Sequence, residues 1–545
     1  MLHVWTSSIV DKRDLDRLDN IVSILMAIGS PAMAGYSLAI TRLNNRWLSP
    51  RFSNLDFPNK TNILSVVSSL QHIPFRIETS GSLLPSLIVL PQNDRYWKDL
   101  AVAAKRTRQW TSSVSINIIW VLVAFLFIFL DDIVDPQTFD EVCGTGCYSI
   151  AAAWIYLLPV VAGWLHVGSQ PEANHLRDAL NDAHGIAYVA TASDPILATR
   201  VTGRPTRAIE SSTKLIDYVN ADEAKTAPIF NYSRVFIWSQ YAEHILRLYE
   251  HAAARAERSI TVQYRGVWMS RDGDGIMAEN RVGNEAEVVQ YCAEKTRVAI
   301  FRNPTRDSSH LPGTPFAQNS TPIPSSEPLT VEGHTANIVQ RTSPSGSFVF
   351  DEETLAVAGN QAAMPEKPIF ATGVFRRVAF AAFLAIVLQW GTTGASVLIY
   401  YSEPPTGVGC RASTFIAYCA LGTIAFGLLL SSSMFAHLAR RQDIHERRSD
   451  LKTFIGYTAA LTRWLGRLIA FTNCFLILVS CFLLLGGVYE NCFCFAFVLG
   501  HDLITLQFAP THSVKYFYTE VLGTAMAVGA SVLYSFVIYF ATPVG

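Results

Sequence analysis

Five of the nine cysteines stand where thiol chemistry would matter. Cys143 and Cys147 bracket CGTGC, Cys410 sits in GVGCRAS, and Cys492 and Cys494 close ENCFC. Thiols so grouped either bridge or hold a metal. A zinc site would recruit histidine at ligand spacing, and none accompanies these groups. Disulfides are the preferred reading and zinc the alternative. The two glycines of CGTGC allow the tight turn that a Cys143–Cys147 bridge needs. Cys410 would then pair with Cys492 or Cys494, and one thiol of the five is left over or pairs with another chain. Cys419, Cys474 and Cys481 lie within apolar runs, where cysteine packs as a small hydrophobe. Cys292 stands apart from all of them.

A second set of polar residues lies inside long apolar runs: Asn117, Gln389, Thr392, Thr393 and Asn473. Such groups either line a polar pathway or hydrogen-bond between helices, and the second is the commoner use. Gly391 and Gly394 beside Gln389 allow close helix approach or a local unwinding. His166 is the one readily ionisable side chain in these runs, near the end of one, where it reaches interfacial water. Motifs for phosphate cradles, dinucleotides, zinc hydrolysis and a serine nucleophile are all missing. Arg271–Gly275 (RDGDG) lacks the ligand spacing and closing glutamate of a calcium loop. No catalytic, cofactor-binding or metal-ligating residue is assigned, and no cofactor is expected.

The elements that must position these residues are membrane spans. Only 16% of the chain is charged, against roughly 25% in an average soluble domain. Four runs near the C-terminus, 378–401, 413–436, 468–488 and 521–541, are close to twenty residues long and nearly free of charge. That length crosses a hydrocarbon core of roughly 30 Å. Three further spans are expected at 21–40, 114–130 and 149–168. The first contains Gly29, Pro31 and Gly35 and is the weakest. Gly81–Pro91 is too short to cross and is expected buried or interfacial. The predicted fold is an all-α membrane protein, a polytopic bundle of about seven transmembrane helices with a mixed cytoplasmic insert.

Basic residues set the orientation. Lys105, Arg106, Arg108, Arg376, Arg377, Arg440, Arg441, Arg447, Arg448, Arg463 and Arg467 fall on one side, which is taken as cytoplasmic. The exoplasmic parts are then 1–20, 131–148, 402–412 and 489–520, and the cytoplasmic parts 41–113, 169–377, 437–467 and 542–545. Lys12, Arg13 and Arg17 before the first span are the exception. If that span fails, the N-terminus becomes cytoplasmic and the rest keep their orientation. All five clustered cysteines fall on the exoplasmic side, which is oxidising in the secretory pathway. The sequons at Asn59, Asn231 and Asn319 fall on the cytoplasmic side, where they are idle.

Within the insert, Phe230–Arg258 has apolar residues at helical spacing (Val235, Trp238, Ala242, Ile245, Tyr249) and is expected to pack on its own domain. The alternative is an interfacial or partner-binding helix. Val262–Trp268 and Val298–Phe301 read as strands. Asn303–Ser347 reads as a disordered linker. Its Thr314-Pro315, Thr321-Pro322 and Ser343-Pro344 pairs are candidate phosphorylation sites, an inert tether being the alternative.

LQWGTTGASVLIYYSEPPTGVGCRASTF (Leu388–Phe415), RWLGRLIAFTNCFLILVSC with ENCFC, and APIFNYSRVF (Ala227–Phe236) together resemble a family of uncharacterised fungal multi-spanning membrane proteins. The chain departs from that pattern after Cys494, where FAFVLG replaces a polar loop. The resemblance implies the topology and a fungal source and attaches no activity. The expected role is non-catalytic: sensing, scaffolding or organisation at the plasma membrane or a secretory-pathway membrane. The alternative is a transporter or channel with a pathway near Gln389 and Asn473. The expected partners are the lipid bilayer and a protein met through the insert. The formal net charge of -1 argues against nucleic acid.

Overall fold

Apolar sequence with few breakers dictates helices here, and the computed structural model is helical throughout with two minimal sheets. It describes residues 12–79, 81–105, 146–167, 173–201, 206–211, 221–225, 228–264, 266–270, 276–293, 373–402, 407–442, 449–485, 488–490 and 512–540. The expected span at 114–130, with Asn117, and the expected linker 303–347 lie outside these residues. In chain order come α1 (Lys12–Gly29), α2 (Pro31–Ser53), α3 (Lys60–Leu70), β1 (Arg76–Ile77), α4 (Leu83–Val89), α5 (Asp94–Lys105), α6 (Gly146–Trp154) and α7 (Leu157–Val167). Then follow α8 (Ala173–His184), β2 (Tyr188–Val189), β3 (Ile196–Leu197), β4 (Ile209–Glu210), α9 (Asn231–Glu257), α10 (Glu285–Cys292), α11 (Val374–Ser402), α12 (Cys410–Gln442), α13 (Ser449–Leu485) and α14 (His512–Tyr539).

The four long C-terminal helices α11 to α14 are each long and apolar enough to cross a membrane. All four extend beyond the apolar runs that announce them. The arginines that end a hydrophobic run do not end a helix, so α13 begins at Ser449 rather than near 468. The expected first span is not one helix. Pro31 has no N–H to continue α1 and pushes Ser30 out of the helical region (φ -144°, ψ 87°). The chain turns by 108° between the two pieces. The expected span at 149–168 is likewise two short helices, α6 and α7, and the side chain of His166 lies outside what is described.

Among the described residues two hydrophobic cores are large. One lies among α1, α2, α7, the start of α9 and the long helices, around Tyr36, Leu38, Phe230, Ala385, Leu388, Phe426 and Tyr534. The other forms an insert domain from two distant stretches of chain, roughly 47–104 and 176–292. β1 and β4 pair antiparallel across them, Arg76 opposite Glu210. Its buried indoles are paired: Trp97 donates to the Leu87 carbonyl (2.7 Å) and Trp238 to that of Val67 (2.8 Å). Arg281 forks onto Asp94 (2.6 and 2.9 Å), joining the segment before α10 to the start of α5. Every residue of α4 is buried, so the short apolar run of 81–91 serves this core.

α9 joins the two cores. Tyr232, Val235 and Phe236 enter the first, and Trp238, Ala242, Ile245 and Tyr249 the second. The expected strand at Val262–Trp268 is not formed among the described residues. A turn at Gly266, closed by Gly266 N–H to the Gln263 carbonyl (3.0 Å), breaks it. The side chain of Asn280 then holds the backbone of Met269 on both sides (2.9 and 2.8 Å), where a partner strand would lie. Val298–Phe301 lies outside the described residues.

Candidate functional site

The α1–α2 break sits at mid-height of the bundle and collects two of the polar residues found in the apolar runs, Gln389 and Asn473. A broken helix exposes backbone groups that must be paired when buried. The last four carbonyls of α1 are all paired. Met26 O accepts from Ser30 N (2.9 Å), and Ala27 O from the Tyr156 hydroxyl (3.3 Å). Ile28 O accepts from the Tyr418 hydroxyl (2.5 Å), and Gly29 O from Asn473 Nδ2 (2.7 Å). On the other side of the break, Ala32 N donates to Gln389 Oε1 (2.9 Å). Ser30 Oγ donates to the Gly422 carbonyl (2.8 Å) and ties the break to α12.

Gln389 and Asn473 hydrogen-bond between helices, the commoner use of such groups, but no bond joins the two to each other among the described residues. They meet α12 instead. Gln389 Nε2 donates to Cys419 O (2.7 Å) and Thr423 Oγ1 (3.1 Å), and Asn473 Nδ2 donates to Tyr418 O (2.9 Å). The two amides close over Gly422, where a Cβ would lie 3.1 Å from Gln389 Nε2 and 3.4 Å from Asn473 Nδ2. Both amides are fully buried, and among the described residues Asn473 Oδ1 has no hydrogen-bond partner. Thr392 bonds back to Leu388 O within its own helix (2.8 Å), and Thr393 is buried. Gly391 serves close packing: a Cβ there would lie 2.2 Å from Ala530 Cβ. At Gly394 a Cβ would meet only its own helix's Trp390 at 3.7 Å. α11 runs unbroken past both glycines, so no unwinding occurs there.

A second polar cluster lies where the insert meets the bundle. Residues 222–225 form a short strap. Asp222, fully buried, pairs with Arg467 of α13 and accepts from the Tyr232 hydroxyl. Glu223 pairs with Arg440 of α12 (2.8 Å), and Lys225 with Asp19 of α1 (2.6 Å). Arg234, also buried, donates to the Lys225 carbonyl (2.5 Å) and to Gln71 O (3.1 Å). Arg377 stacks on Trp47 (4.2 Å to the ring centroid) and donates to Asn44 Oδ1 (3.1 Å). Arginines that serve as orientation markers in the sequence are thus committed partners of the insert. The signal for the strap in the sequence is its charge pattern (ADEAK) just before an apolar helix.

Burial favours the neutral form of three titratable groups of the insert. His72, packed on Trp164 (6.0 Å), is pushed down to about 3 by burial and by Arg234. His244 is pushed down to about 4 by burial and Arg247. Burial pushes the Cys292 thiol up to about 12. Cys292, Cys419, Cys474 and Cys481 are free thiols. Cys143, Cys492 and Cys494 lie outside the described residues, and the side chain of Cys147 is not described either. The described residues bring no bridged pair and no metal-holding group together. Asn231 spends its amide N–H groups on Ser37 O (2.8 Å) and Thr41 Oγ1 (2.7 Å), which leaves its sequon closed in the folded chain.

No family model, curated protein or solved structure matches this chain. Function must therefore be argued from the two clusters.

Proposed function

We propose that this chain is a multi-pass membrane protein with a non-catalytic organising role, in which the insert and the spans act as one framework. Support comes from how the polar side chains of the long helices are spent. Gln389, Asn473 and Tyr418 satisfy the backbone of a broken helix, at a depth where unpaired groups cost several kcal/mol. The strap's ion pairs add a second tie between insert and bundle. Of the three further spans expected from the sequence (21–40, 114–130 and 149–168), 114–130 and 149–168 are proposed alongside the four long helices. A plasma-membrane or secretory-pathway location, a fungal source and a protein partner met through the insert belong to the same proposal. So do the pairings Cys143–Cys147 and Cys410 with Cys492 or Cys494.

A transporter or channel is the second reading. One observation favours it: among the described residues Asn473 Oδ1 is buried and unpartnered beside a helix break, and broken helices at mid-membrane often hold substrates or ions. Asn473→Ala in the full chain, reconstituted in liposomes, separates the two. Lower thermostability with no tracer flux in either protein supports the organising role. Flux in the parent protein that the substitution abolishes without unfolding contradicts it.

A further inference from the structure

We infer that residues 12–53 form a re-entrant hairpin, entering the bilayer from the side of the insert domain, turning at Ser30 and clasped by the 222–225 strap. The inference rests on the bundle being membrane-embedded, as proposed above. Four independent observations carry it.

The first is the angle. The bend between the two pieces is 108°, past perpendicular, which fits a chain that turns back. The second is where the arms end. At its apex the pair meets Asn473, Gln389 and Gly422. At Asp19, eleven residues before Ser30, α1 meets Lys225 of the strap, whose Asp222 pairs with Arg467. Arg467 lies about 9 Å from Asn473 along α13, toward the insert. On the other arm, Asn44 meets Arg377 near the start of α11, and Arg46 donates to Val537 O and Ile538 O at the end of α14 (2.8 and 2.7 Å). The start of α11 and the end of α14 are the insert side of the bundle. Both arms therefore leave on the same face.

The third is length. Pro31 to Asn44 spans about 20 Å and Asp19 to Gly29 about 15 Å as helix, each short of a core of roughly 30 Å. The fourth is charge. With the hairpin re-entrant, Lys12, Arg13 and Arg17 join the basic side of the chain, and the exception to the orientation rule disappears. Irregular backbone at such depth is tolerated only when buried in protein. Gly29 meets that condition: a Cβ there would lie 1.8 Å from the Ala470 carbonyl oxygen.

The strap places three consecutive ties on three different helices: Asp222 on α13, Glu223 on α12 and Lys225 on α1. It lets the insert hold the hairpin in place.

The test uses the full chain with epitope tags at both ends, in cytoplasmic-side-out vesicles. Added protease is expected to remove both tags without detergent. An N-terminal tag protected until detergent is added, while the C-terminal tag is cut, overturns the hairpin. That outcome leaves the liposome result on Asn473→Ala untouched, so the two proposals fail separately. For the clasp, Asp19→Lys is expected to lower the melting temperature and Lys225→Asp in the same chain to restore it. Should the charge reversal prevent folding, Asp19→Asn with Lys225→Gln replaces it, the pair melting no lower than the single Asp19→Asn. A double variant less stable than either single one overturns the clasp.

Discussion

The helix break and the strap solve the same problem with opposite chemistry. At the break, uncharged groups do everything: two amides and two phenols pair the freed backbone, and the Ser30 hydroxyl ties it to the Gly422 carbonyl of α12. At the strap, acids and bases pair directly. The difference follows from what covers each. The break is packed among spans, where a charge would face the full desolvation penalty. The strap lies where a soluble segment can bring its own counter-charges. Neutral groups position the backbone finely, and charged ones are costly to leave unpaired.

Removing one partner tests that contrast most severely. Asp222→Ala leaves Arg467 and the Tyr232 hydroxyl without their acceptor in a buried site. We expect a loss of about 3–5 kcal/mol, read as lost folded protein in a detergent stability assay. A loss as small as that of a surface pair would mean that the strap is solvated.

Gly29→Ala attacks the break through its packing. The new methyl would meet the Ala470 backbone at 1.8 Å, which no rotamer relieves, so α1 and α13 must separate. The expected cost is about 3 kcal/mol. Gly427→Ala, with nothing within 4 Å of its Cβ, is the control and should be neutral or slightly stabilising. Equal effects at the two sites would contradict the close approach.

Gln389→Leu should cost about 1–3 kcal/mol, because it orphans the buried Ala32 N–H rather than merely deleting a helix–helix bond. A thermal shift no larger than that of Thr392→Val, whose hydroxyl bonds only within its own helix, would show that the break does not need the amide.

The smallest effect separates the clusters by pH. The break contains no group that titrates near neutrality, so acid sensitivity should come from the insert side. His72 and His244 have folded values lowered to about 3 and about 4, from an ordinary 6.5. The unfolded chain then binds protons that the folded one excludes. Their contribution is complete above pH 6.5 and is lost as pH falls toward 4 and 3, at up to about 1.4 kcal/mol per unit for each ring. Melting at pH 7 and pH 5 checks the sign, and His72→Gln should flatten the trend. Stability rising on acidification would contradict it.

Much of this was legible in the sequence, for local reasons. Unbroken apolar runs of span length report helices whatever they pack against, and α11 to α14 follow from them. Phe230–Arg258 was legible because its period is local. The insert was not, since β1 finds β4 across more than a hundred residues and no periodicity records such a pairing. Gln389 and Asn473 are recognisable as polar groups inside apolar runs, but nothing local to them shows that their partners are backbone groups of other helices. The overlooked signal was Gly29-Ser30-Pro31: a proline inside a span frees backbone groups, and those groups need polar partners at the same depth. The arginines counted for orientation gave no sign of their buried acids, because Asp222 and Glu223 lie far away in the chain.

Hydrogen exchange on a peptide covering residues 26–36, in nanodiscs, tests most directly whether the bundle's amides hold the break. In the parent protein the Ala32 amide and its neighbours should be strongly protected, despite the interrupted helix. In Gln389→Leu that protection should fall there and nowhere in the insert. Fast exchange of this peptide in the parent protein, or protection unchanged by the substitution, would contradict the account.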